Sequence, residues 1–181
     1  MVLVLVVGPS GAGKDTLISR AQDELADDPR FSFVRRVVTR NAVAALEDHE
    51  TMDEAAFTVA LMRGDFALHW DAHGLRYAIP VAIDAALEAG RVVVANGSRA
   101  AIPAAQAKYP DCVVFLVTAD RELRALRLAA RGRENAGAVR ARLDREGIEL
   151  APNIERVTID NSGHLAESVT RFIEELRRLT R

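Results

Sequence analysis

GPSGAGKDT, residues Gly8 to Thr16, follows the apolar run MVLVLVV and precedes a segment in which Leu17, Ile18, Ala21 and Leu25 recur at helical spacing. The order is strand, glycine-rich loop, helix. In such a loop small residues let successive backbone N–H groups turn inward, and the helix adds the positive end of its dipole. The pattern G-x-x-x-x-G-K-[ST] describes a phosphate-binding loop whose lysine reaches the β- and γ-phosphates and whose last hydroxyl holds Mg²⁺. Gly8, Gly13 and Lys14 match it, while Asp15 takes the place of the hydroxyl residue and Thr16 follows. A glycine turn joining strand to helix is the plain alternative. The flanking strand and helix, with the additional Gly11, favour a working loop in which Gly8, Pro9, Ser10, Gly11, Ala12, Gly13, Lys14, Asp15 and Thr16 contact ATP.

The 181 residues suit one domain with a substantial core. Acidic residues number 26 against 24 Lys plus Arg, so there is no basic surplus for non-specific nucleic-acid binding. Lys14 and Lys108 are the only lysines, so a phosphate clamp here must be built mainly from guanidinium groups. Cys112, the single cysteine, lies in the run CVVFLV and reads as a core residue. MVLVLVV is too short for a membrane span or a signal peptide. The expectation is a cytoplasmic protein, monomer or homodimer, with neither nucleic acid nor membrane as partner.

Five apolar runs recur: Val2–Val7, Phe33–Val38, Val92–Ala95, Cys112–Val117 and Val157–Ile159. Most alternate with helical patterns, which predicts a parallel sheet covered on both faces. Asp120 is placed to cap a helix with a core stripe of Leu123, Leu126 and Ala130. After Gly163, a last helix carries Leu165, Val169, Phe172, Ile173 and Leu176 on one face. Two regions break the alternation. One passes from the pair Thr39-Arg40 through a polar loop to a helix, Asp53–Arg63, and then to short hairpin strands, Phe66–Asp71 and Arg76–Pro80, around His73-Gly74. The other, AARGRENAGAVRAR, crowds Arg131, Arg133, Arg140 and Arg142 between two helices. A solvated charged turn is the plain reading of that run; beside a phosphate loop, a mobile arginine lid is favoured.

With these parts in place the chain resembles the guanylate-kinase-like nucleoside monophosphate kinases. GPSGAGK, VVTR, MRGDF, AHGLRYAIP, EAGRVVVANG and AARGREN carry the likeness, in order, over nearly the whole length. Within that superfamily it is more similar to the ribose 1,5-bisphosphate phosphokinases of phosphonate metabolism, at GKD followed by a hydroxyl residue, W-x-A-x-G-x-x-Y, NGSRA and RGREN. The resemblance implies an α/β P-loop fold: a five-stranded parallel sheet flanked by helices, within a single domain. Residues 1–38, 81–130 and 143–181 would form its core, 39–80 an acceptor lobe and 131–142 an arginine lid.

It also implies the reaction, transfer from ATP, with Mg²⁺, to ribose 1,5-bisphosphate, giving phosphoribosyl diphosphate (PRPP). Aligned with guanylate kinases, Leu68 stands where those enzymes carry a guanine-reading glutamate, and Asn96 and Ser98 replace aspartates. An apolar side chain cannot accept from guanine's N–H groups. By the same resemblance Arg40 and Tyr77 grip the acceptor phosphate, and Arg131, Arg133 and Arg142 serve transfer from the lid. Lys14 would neutralise the β- and γ-phosphates, Thr16 would meet the α-phosphate, and Asp15 would orient Mg²⁺ through water, or else simply cap the helix. Arg99 and His73 are candidate acceptor contacts, while His69 and Trp70 line a sugar pocket or merely pack. A nucleoside monophosphate kinase with altered base preference, and a non-catalytic guanylate-kinase-like interaction module, are the alternatives; Lys14 and the arginine-rich lid speak against the module.

Overall fold

The computed structural model describes residues 1–39, 49–72, 74–130, 143, 150 and 154–180. Along them run β1 (Val2–Val7), α1 (Lys14–Glu24), β2 (Phe31–Val34), β3 (Arg36–Thr39), β4 (His49–Met52), α2 (Glu54–Arg63), β5 (Phe66–Ala72) and β6 (Leu75–Pro80). Then come α3 (Ile83–Glu88), β7 (Val92–Asn96), a 3-10 turn (Arg99–Ala101), α4 (Ile102–Lys108), β8 (Cys112–Thr118), α5 (Arg121–Ala130), β9 (Arg156–Asp160) and α6 (Leu165–Arg178).

A strand buried on both faces needs an uninterrupted apolar sequence. β1 has one: Leu3, Leu5 and Val7 enter one core while Val4 and Val6 enter another. β7 and β8 divide in the same way, Val93, Ala95, Val114 and Leu116 to the first core and Val92, Val94, Phe115 and Val117 to the second. The three lie side by side in the expected five-stranded parallel sheet, ordered β2-β7-β1-β8-β9. α1 and α6 close the second core with Leu17, Ala21, Phe172, Ile173 and Leu176. α3 and α4 close the first with Ile83, Leu87, Ile102 and Ala105.

The remaining strands make a second sheet, ordered β4-β3-β6-β5. Its pairing across β5 and β6 sets Leu68 opposite Ile79 and Trp70 opposite Tyr77, and all four side chains join the first core. The alternate face carries Val37 and Ala78, covered by Phe57 of α2. Asp53 starts α2 by accepting from the Ala56 N–H at 2.7 Å, and Gly64 ends it in the left-handed conformation.

Four expectations are corrected. The run Phe33–Val38 is two strands, not one: β2 stays in the parallel sheet beside β7, while β3, beyond exposed Arg35, leaves to pair with β6. β4 was not foreseen, because HETM has no apolar alternation and owes its strand to pairing with β3. On α5 the inward stripe is not Leu123, Leu126 and Ala130. Leu126 is 68 % exposed, and the helix buries Arg124 and Leu128 instead, because Arg124 finds an acceptor behind the phosphate loop. In α6, Leu165 is exposed while Ser168 turns inward and donates to the Asp160 carbonyl at 3.0 Å. No helix among the described residues is long and apolar enough to cross a membrane.

Candidate active site

At the end of β1 the chain must leave a sheet buried on both sides and enter α1. Gly8 makes the first step at φ 147°, where a Cβ would lie 2.1 Å from the Val117 carbonyl oxygen of β8. Gly13 makes the last, in the left-handed region at φ 93°. Between them every carbonyl has a donor. Lys14 Nζ donates to Gly8 O at 2.8 Å and Pro9 O at 3.2 Å, and Arg124 Nε to Ser10 O at 3.0 Å. Arg127 Nη1 approaches the carbonyls of Gly11 and Ala12 at 3.4 Å each, and Asn161 Nδ2 donates to Ala12 O at 2.8 Å. The Leu17 N–H takes Gly13 O at 3.0 Å, opening the helix.

With its carbonyls committed outward, the loop keeps amides for a ligand. Among the described residues the N–H groups of Gly11, Gly13, Asp15 and Thr16 donate to no protein acceptor. Such a row beside a helix N-terminus is an anion site. Arg127 adds positive charge at its back, with its proton affinity lowered by burial. Lys14 is half-buried and folded onto the carbonyls of Gly8 and Pro9. Lys108, the other lysine, is spent on Asp84 at 3.2 Å, tying α4 to α3.

Asp15, in the first turn of α1, meets the end of β7. Asn96 Nδ2 donates to Asp15 Oδ1, and the two share a cleft with Ser19, Gln22 and Arg35. Among the described residues no three His, Cys, Asp or Glu side chains gather as a metal cage. Mg²⁺ does not require one, since it takes a carboxylate or two and completes its shell with phosphates and water. The hard oxygen of Asp15, and the buried Asn96 Oδ1, which has no donor among the described residues, fit that requirement.

Tyr77 is 9 % exposed and stacks on Trp70 at 5.6 Å, with the Arg36 guanidinium 5.5 Å from its ring centre. Trp70 and Tyr77 both pack in the first core. Arg99 lies half-buried on the turn after β7, which rests against β5. Arg40, His73, Arg131, Arg133 and Arg142 lie outside the described residues. Cys112 sits at the edge of the first core, and burial pushes its thiol up to about 11, so it is no nucleophile at neutral pH.

Sequence reasoning missed Arg124, Arg127 and Asn161, which hold the loop from behind. The available signal was an arginine inside a stretch read as an apolar stripe. It also missed that Asn96 touches Asp15.

No protein-family model matches the chain. Among curated proteins it is 45% identical over 177 residues to a ribose 1,5-bisphosphate phosphokinase PhnN of Brucella melitensis, covering 97% of this chain and 92% of that protein. A protein of the same description from Rhodopseudomonas palustris is 47% identical over 175 residues, covering 97% and 88%. Among solved structures, guanylate kinase from Anaplasma phagocytophilum superposes with a TM-score of 0.70 at 16% identity, over 98% of this chain and 85% of that one. That likeness establishes the fold, a guanylate-kinase-like P-loop architecture. Identity at this level over almost the full length of both partners settles the rest: the chain belongs to the ribose 1,5-bisphosphate phosphokinase family.

Proposed function

We propose that the chain transfers the γ-phosphoryl group of ATP to the 1-phosphate of ribose 1,5-bisphosphate, forming PRPP and ADP. The observation that supports this most is the phosphate loop with all its carbonyls engaged and its amides available, in a chain of this family. A 1-phosphate oxygen attacks the γ-phosphorus, and the bond from that phosphorus to the bridging oxygen breaks, leaving its electron pair on ADP. A phosphate monoester has its second pKa near 6, so the nucleophile is already ionised at neutral pH and no general base is needed. What remains is alignment of two anions and neutralisation of charge on the group in flight.

Lys14 is assigned to the β- and γ-phosphates, reached by exchanging its contacts with Gly8 and Pro9 for phosphate oxygens. Thr16, exposed on the first turn of α1, is assigned to the α-phosphate. Asp15 would hold Mg²⁺, directly or through water. When bound, Mg²⁺ would neutralise charge that develops on the phosphates. Arg40, Tyr77, Arg99 and His73 are assigned to the acceptor, which this reading places against the second sheet, and Arg131, Arg133 and Arg142 to the transferring group. The cytoplasm, where ATP is abundant, is the proposed compartment.

Incubation with ATP, Mg²⁺ and either ribose 1,5-bisphosphate or a panel of nucleoside monophosphates tests the assignment. PRPP from the sugar bisphosphate, with negligible ADP release from GMP, is expected. Efficient turnover of GMP, or none of ribose 1,5-bisphosphate, overturns it.

A further inference from the structure

In P-loop enzymes the metal commonly sits between two oxygens of different kinds: a hydroxyl just after the loop lysine, and a carboxylate at the end of a neighbouring strand. Here the residue after Lys14 is Asp15, and the residue ending β7, the strand beside β1, is Asn96. We infer that these two positions have exchanged their chemistry, the carboxylate residing on the loop helix and the neutral oxygen on the strand, and that Asn96 positions Asp15 to receive the cation.

Three observations carry this. The side chains touch across elements 81 positions apart, with Asn96 Nδ2 donating to one carboxylate oxygen and leaving the other for a ligand. Asn96 is only 7 % exposed, so its amide is held by packing. Its Oδ1 has no donor among the described residues, a costly state for a buried acceptor unless something else satisfies it. The exchange also explains why the strand residue is an amide. A second carboxylate in contact with Asp15 would set two like charges together, whereas an amide offers one N–H to fix Asp15 and one oxygen to spare. Arranged this way the site still holds one carboxylate and one neutral oxygen.

The inference rests on the proposed use of ATP with a divalent ion, but not on the acceptor. Its test therefore omits ribose 1,5-bisphosphate. Binding of Mn²⁺ to the full chain saturated with ADP is followed by electron paramagnetic resonance in the wild type, Asp15→Ser, Asp15→Asn, Asn96→Ala and the double variant Asp15→Ser with Asn96→Asp. Thermal melting without nucleotide accompanies each. Both Asp15 variants should weaken Mn²⁺ binding by about tenfold or more, and Asn96→Ala by about tenfold, as for loss of a group that orients a ligand. The double variant should recover most of what Asp15→Ser loses, a non-additivity that only a shared role produces. Asp15→Asn keeps the shape of the side chain, so it reads the carboxylate alone should the double variant melt early. Unchanged Mn²⁺ affinity in Asp15→Asn, or no recovery in a folded double variant, overturns the exchange. A chain that binds Mn²⁺ as expected yet fails to phosphorylate ribose 1,5-bisphosphate leaves the exchange standing and sinks the functional assignment instead.

Discussion

Arg124, only 2 % exposed, donates from Nε to the carbonyl oxygen of Ser10 at 3.0 Å and so fastens α5 to the phosphate loop. The loop approaches that helix closely enough that a Cβ on Gly11 would lie 2.8 Å from the Arg124 carbonyl oxygen. A buried carbonyl stripped of its donor costs about 1–3 kcal/mol. Arg124→Leu should therefore lower unfolding free energy by roughly that amount and raise the KM for ATP, leaving the acceptor KM unchanged. Urea unfolding and initial rates at varied ATP measure both. An unaltered ATP KM in the folded variant would make the contact purely structural.

Gly8 and Gly13 should fail differently. A Cβ on Gly8 meets the Val117 backbone, which cannot move without breaking β8 from the sheet. On Gly13 it meets the end of the Asn161 side chain at 2.3 Å, which can swing away at the cost of its bond to Ala12. Gly13→Ala retains the left-handed penalty, about 1–2 kcal/mol, plus that broken bond. Gly8→Ala should be the more destabilising of the two, and both should lose ATP binding. Equal melting temperatures for the two variants would contradict the geometry.

Lys14→Ala should leave a folded protein whose turnover falls about 10²–10³-fold, the loss expected for one strong transition-state contact of ~3–4 kcal/mol. Stability should change far less than turnover, since the hydrogen bonds from Lys14 to Gly8 and Pro9 lie at a half-buried site. Steady-state kinetics and thermal melting decide this, and near-normal turnover would remove Lys14 from the chemistry.

Tyr77 separates packing from chemistry. Its ring lies 5.6 Å from Trp70 at an interplanar angle of 7°, a contact that phenylalanine preserves. Tyr77→Phe should therefore melt within about 1 kcal/mol of the wild type. If the hydroxyl grips the acceptor phosphate, the KM for ribose 1,5-bisphosphate should rise about tenfold, as for one missing charge-assisted hydrogen bond. An unchanged KM would confine Tyr77 to the core.

The parallel sheet was legible because burial on both faces forces continuous apolar runs, and the phosphate loop because glycine, lysine and flanking elements have few other reasons to coincide. The break at Arg35 was not legible, since β2 and β3 differ in partner, not in composition. Nor was the inward face of α5. Arg124 reads as a surface residue until its acceptor, 114 positions earlier, is known. The Asp15–Asn96 contact was hidden for the same reason: each residue is ordinary alone, and only the adjacency of β7 to β1 brings them together.

Leu68 carries the sharpest test of what this scaffold accepts. It lies on β5 opposite Ile79, 4 % exposed, in the core shared with Trp70 and Tyr77. The resemblance to guanylate kinases implies that it stands where those enzymes place the carboxylate that reads guanine, so the obvious experiment is Leu68→Glu. Two outcomes compete. If the position faces the acceptor, the new carboxylate should recruit GMP. If it belongs to the core, the charge is buried without a partner at a cost of several kcal/mol, and no base reader results. The packing argues for the second outcome: Leu68→Glu should melt well below the wild type, release negligible ADP with GMP, and lose turnover of ribose 1,5-bisphosphate only in proportion to the unfolded fraction. Leu68→Met, which keeps volume and apolarity, should be nearly silent in both assays. GMP turnover in a stably folded Leu68→Glu would show that the side chain reaches the acceptor cleft. In that case one substitution, not a rebuilt core, would separate the two acceptor chemistries.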